Sequence, residues 1–85
     1  MKNLKNAKYP NIEIERLKAG LSTEELCQMA GISTYRYPKI IDGSSRLDIE
    51  TLKRLCEIFS CDQEYLIQEN KSNYGKSRKE ATVNG

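Results

Sequence analysis

The chain has 85 residues, enough for one small domain with a modest core, and its three irregularly spaced cysteines and lack of histidine exclude a disulfide framework and argue against a zinc site. Its formal net charge of +2 conceals a split: residues 1–8 and 70–85 each carry +3, whereas residues 9–69 hold seven Lys or Arg against eleven Asp or Glu, or −4. The opening MKNLKNAKYP lacks the apolar run of a secretory signal, and no stretch approaches the roughly 20 apolar residues that span a bilayer, so a soluble cytoplasmic protein with reduced thiols and no membrane partner is expected.

In chain order, residues 1–9 read as a basic arm, residues 10–69 as the folded domain and residues 70–85 as a basic tail. The segment NIEIERLKAG predicts a first helix. Pro10 suits a first turn and Gly20 a stop, with Ile12, Leu17 and Ala19 as apolar positions and Ile14 at the margin. STEELCQMAG predicts a second helix of about eight residues. Ser22 and Glu25 form a Ser-x-x-Glu capping box, Leu26, Met29 and Ala30 follow at helical spacing, and Gly31 ends it.

The next segment, GISTYRYPKIIDGSSR, starts as a turn into a third helix. Gly31 takes a positive φ cheaply and Ser33 is a good N-cap. Pro38 then interrupts the pattern. If Ser33 caps the helix, Pro38 is about its fifth residue, removes a hydrogen bond and clashes with the Thr34 carbonyl. If the helix instead begins at Pro38, residues 33–37 form an extended or 3₁₀ lead-in, and Tyr35, Arg36 and Tyr37 are displaced.

DIETLKRLCEIFS predicts the strongest helix, capped by Asp48, with Ile49, Leu52, Leu55, Cys56 and Phe59 on the 3.6 period. DQEYLIQ predicts a short fifth helix capped by Asp62, with Leu66 inward and Tyr65 and Ile67 exposed. Beyond residue 70 there is no periodicity, and disorder is expected. No segment alternates like a strand, so the fold class is all-α with five short helices. Cys27 and Cys56 read as small hydrophobes in the core. No nucleophile–base pair and no glycine-rich phosphate loop stands out, so neither an enzyme nor a cofactor is expected.

A short helix, a glycine turn and a second helix form a helix-turn-helix pattern. The segments GLSTEEL, AGISTYRYPKIIDG, SRLDIETLKRLCEIF and SCDQEYLI, in this order and without a gap over residues 12–68, resemble the Cro/CI-type (XRE) helix-turn-helix family of bacterial and phage regulators. The resemblance implies a compact five-helix bundle of the lambda-repressor-like type whose third helix enters the major groove of double-stranded DNA. It implies phosphate contacts from Thr23 and Ser33, base-edge contacts from Thr34, Tyr35 and Lys39, and a groove-edge role for Arg36. It also implies backbone contacts from Ser44, Ser45 and Arg46, with Tyr37 and Ile40 pointing inward. Because the family often dimerises near its last helix, Tyr65 and Ile67 are the expected surface of a weak homodimer.

One departure concerns Ile41, which stands where the family commonly has a glutamate paired with a first-helix arginine. Arg16 matches that arginine, so Asp42 or Glu13 substitutes as its partner, or Arg16 is exposed. Two functions remain in view. The first is a sequence-specific DNA-binding transcription regulator of phage or mobile-element type. The second is a helix-turn-helix domain turned to protein contact, as in an antitoxin-like partner or accessory regulator. A continuous positive stripe over residues 33–46 would favour the first.

Overall fold

The computed structural model describes residues 7–69, and these form five helices with no strand among the described residues. They are α1 (Pro10–Lys18), α2 (Thr23–Ala30), α3 (Arg36–Asp42), α4 (Ile49–Phe59) and α5 (Gln63–Leu66). α1 packs against α3, α4 and α5, while α2 packs against α4. The expected tail, residues 70–85, and the first six residues of the expected arm lie outside the described residues.

Local signals account for most helix ends. In α2 the Ser22 hydroxyl accepts from the Glu25 N–H at 3.0 Å, and the Glu25 carboxylate accepts from the Ser22 N–H at 2.8 Å. This satisfies two N–H groups that a helix start otherwise leaves unpaired. Gly31 closes α2 in the left-handed region at φ 73°. Asp48 caps α4 through the Thr51 N–H and also accepts from the Thr51 hydroxyl at 2.8 Å. Asp62 stands at the N-cap of α5, but its side chain makes no capping hydrogen bond, and α5 is a single turn.

The core comprises Ala7, Ile12, Leu26, Cys27, Ala30, Ile32, Tyr37, Ile40, Ile41, Leu52, Leu55 and Leu66. Three expected core residues face outward: Leu17 is 59% exposed, Met29 53% and Ile49 62%. Ala19 is exposed as well. α1 instead buries Ile12 with two charged residues, Glu13 and Arg16. In α2 the buried residues are Leu26, Cys27 and Ala30, so Cys27 lies inward as expected and Met29 does not. Ile49 is the first residue of α4, and burial begins two residues on, at Thr51 and Leu52. Phe59 and Cys56 are half-buried and pack against the core. Burial raises the pKa of the Cys27, Cys56 and Cys61 thiols, which keeps them protonated and weakly nucleophilic.

Residues 7–9, expected as part of an arm, run along the domain. Ala7 is buried, and the Lys8 and Tyr9 N–H groups both donate to the Ile41 carbonyl, at 2.7 and 3.2 Å. No described helix is long and apolar enough to cross a membrane.

Candidate nucleic-acid interface

The turn between α2 and α3 is closed from both sides. The Gly31 and Ile32 N–H groups donate to the Cys27 carbonyl at 2.8 and 3.0 Å. Ile32 drops into the core. From the opposite side, Arg54 of α4 donates to the Ala30 carbonyl at 3.2 Å, and a side chain at position 31 would meet its guanidinium at 2.7 Å. The guanidinium is the end of a flexible side chain and could move aside, so it is the left-handed φ of 73° that calls for glycine here.

α3 then begins under the control of Ser33. Its hydroxyl accepts from the Arg36 N–H at 3.0 Å, and its carbonyl accepts from the Tyr37 N–H at 3.1 Å. Thr34 and Tyr35 form a turn, Tyr35 already has helical angles (φ −69°, ψ −40°), and regular helix runs from Arg36. Pro38 is thus the third residue of α3 rather than its start, and Arg36 and Tyr37 are helical. The extended lead-in to a helix beginning at Pro38 does not occur. Pro38 has no N–H to offer the Thr34 carbonyl, and the first turn is held by Ser33 instead.

On the outer side of this segment, Tyr35 is 75% exposed. Lys39, one turn later, places its ammonium 4.9 Å from the centre of the Tyr35 ring, within cation–π range. Ser33 and Thr34 are exposed beside them in sequence, and Thr23 is half-buried at the first position of α2. The loop after α3 folds back on its end. The Ser45 N–H donates to the Lys39 carbonyl at 2.9 Å, and Ser44 donates through its N–H and hydroxyl to the Asp42 carboxylate.

Arg36 is committed within the protein. It donates to the Ser45 hydroxyl at 3.4 Å, to the Arg46 carbonyl at 2.8 Å and to the Asp48 carboxylate at 3.3 Å. Its guanidinium therefore braces the loop that presents Ser44, Ser45 and Arg46. The Thr51 hydroxyl, its backbone N–H and then Arg36 hold the Asp48 carboxyl below its ordinary pKa. Lys39 and Arg46 are the exposed cations of residues 33–46 and make no ion pair among the described residues. Positive charge sits at two points among hydroxyls and a tyrosine ring, not along an unbroken stripe.

A buried polar cluster lies behind this face. The Glu13 carboxylate accepts from Arg16 at 2.7 Å and from the Tyr37 hydroxyl at 2.7 Å, while Arg16 also donates to the Leu21 carbonyl at 2.7 Å. Arg16 is therefore buried, and of the three readings the pairing with Glu13 is the one realised. The i, i+3 spacing of Glu13 and Arg16 is visible in the sequence, but no sequence signal points to Tyr37. At the far end, Tyr65 is half-buried. Its hydroxyl donates to Glu15 at 2.8 Å, and Ile67 remains 39% exposed.

Two helices joined by a glycine turn, with a polar, partly cationic outer face on the second and a third helix bracing the turn, define a helix-turn-helix DNA-binding domain. The chain belongs to the Cro/C1-type helix-turn-helix DNA-binding domain family, whose model matches residues 11–68. No curated protein and no solved structure matches the chain. Family membership makes it a DNA-binding regulator in general.

Proposed function

We propose that this domain is a sequence-specific transcription regulator of phage or mobile-element type that reads duplex DNA with α3. The charge of residues 33–46 forms no unbroken stripe, so the observation that carries this reading is instead the Tyr35–Lys39 pair, exposed on the outer face of α3 and making no ion pair among the described residues. Lys39 donates to guanine O6 and N7 in the major groove, and the Tyr35 ring packs against base edges beside it. Thr23, Ser33 and Thr34 supply hydroxyls to phosphates and base edges, while Ser44, Ser45 and Arg46 follow the sugar-phosphate backbone. Arg36, tied to Asp48 and the loop, acts by shaping that loop. The protein works in the cytoplasm, without a cofactor or a catalytic step. Two copies assemble weakly on a two-fold site through the surface around Ile67, with Tyr65 supporting that surface from its bond to Glu15.

The test is selection of bound sequences from a random duplex pool, followed by salt titration of variants. Lys39→Ala costs about 1–3 kcal/mol on the preferred site and relaxes one base position. Arg46→Ala weakens binding to every sequence alike and flattens the salt dependence by about one unit of slope. If no sequence is enriched and Lys39→Ala binds like the parent, the DNA-reading function is rejected. Protein contact through Tyr35 and Lys39 then becomes the leading reading.

A further inference from the structure

α3 is a short helix with a proline inside it, so its pose depends on what holds it to the rest of the domain. Besides apolar packing, polar ties among the described residues link it to the segment around α1. At its C-terminal end, the Ile41 carbonyl accepts from Lys8 and Tyr9. In its first half, the Tyr37 hydroxyl donates to the Glu13 carboxylate. Tyr37 and Glu13 are each 1% exposed. The Glu13 carboxylate is in turn held by Arg16, which is anchored to the Leu21 carbonyl. The acceptor is therefore fixed before the phenol meets it.

We infer that the Tyr37 hydroxyl is a positioning group for DNA reading: by donating to the buried Glu13 carboxylate it sets the pose of α3, and hence where Tyr35 and Lys39 meet the bases. The inference rests on the DNA-reading function proposed above. Its physical basis is geometric. Tyr37 lies on the inward side of α3, while Tyr35 and Lys39, two residues to either side of it, point outward. A rotation of α3 about its own axis moves the two sets together. Apolar packing of Tyr37, Ile40 and Ile41 is non-directional and limits such a rotation only loosely. A hydrogen bond from a buried phenol to a carboxylate is directional and charge-assisted. Pro38 heightens the dependence, because it withholds the N–H that would otherwise stiffen the Thr34–Pro38 turn. Burial, with Glu13 adding to the effect, pushes the phenol pKa well up, so the hydroxyl keeps the proton it donates at alkaline pH where a free tyrosine would ionise.

The test variant is Tyr37→Phe in the full chain, which keeps the ring and deletes only the hydroxyl. Two measurements separate the possibilities. The first is binding to the preferred duplex and to a scrambled duplex across a salt series. Discrimination between the two is expected to fall about tenfold, the scale of one hydrogen bond to a charged group, with scrambled-duplex affinity and salt slope unchanged. The second, made without DNA, is amide hydrogen exchange. Residues 36–41 with an N–H are expected to exchange about tenfold faster relative to those of α4. Parent-like discrimination overturns the inference. So does equal loss on both duplexes with exchange raised uniformly, because that pattern marks a group that only stabilises the fold. If the parent itself enriches no sequence, the DNA-reading function fails separately. The exchange comparison still decides whether Tyr37 sets the pose of α3.

Discussion

α4 and α3 keep their shape by different means. α4 has eleven residues, a side-chain cap from Asp48, an i, i+4 ion pair between Glu50 and Arg54, and a buried stripe at Thr51, Leu52 and Leu55. The cap, the ion pair and the apolar spacing are all local to this segment and favour an amphipathic helix before any partner is met. α3 has seven residues with a proline third among them. It draws its start from Ser33 and its pose from Glu13 and from the irregular segment at residues 7–9. The helix that braces is written into its own sequence, and the helix proposed to read is shaped by its neighbours. A reading element of this kind can change its outer residues with little effect on its foldedness, because its inner face and anchors carry that burden.

The largest test of this contrast removes the anchor. Glu13→Ala leaves a buried guanidinium and a buried phenol without their acceptor. It is expected to cost about 3–5 kcal/mol in denaturant unfolding, as breaking a buried ion pair from one side does. Next in size is Leu55→Ala, which opens a cavity under α4. A loss of about 2–4 kcal/mol is expected from the same measurement, with α3 and α4 destabilised together because both rest on one core. A smaller change sharpens the comparison by making α3 more like α4. Pro38→Ala restores an N–H for the Thr34 carbonyl and is expected to stabilise the domain by about 1 kcal/mol; an unchanged or lower midpoint would show that the proline costs α3 nothing.

The smallest effect is on pH. The folded pKa of Asp48 is depressed, so its contribution is present above the unfolded carboxylate pKa and is lost as pH falls through the lower, folded value. The stability difference between the parent and Asp48→Asn should therefore shrink on acidification below the ordinary carboxylate range. A constant difference down to acid unfolding would show that Asp48 acts as a neutral cap.

By itself the sequence determined the helices and most of their ends. The Ser22–Glu25 box, the Gly31 stop and the Asp48 cap were all legible because each is an exchange between residues a few positions apart, complete within one turn of chain. The pair Tyr35 and Lys39 came from the family resemblance, and their i, i+4 spacing puts them on one face only because Ser33 starts the helix before Pro38. Other outcomes depended on the assembled core. Leu17, Met29 and Ile49 lie outside it, although their spacing suited it. The partner of Arg16 was open among three readings until packing put Glu13 and Tyr37 within 2.7 Å of one another. Arg36, which the resemblance sets at the groove edge, also closes on Asp48, twelve positions away, a contact that no local pattern announces. Pro38 stands inside α3 because Ser33 caps the turn before it and Tyr37 is drawn into the core behind it. Such contacts join residues far apart along the chain, and which of them form depends on how several helices share one small volume. That arrangement follows from packing and from the pairing of buried charge, which the local pattern of residues leaves open.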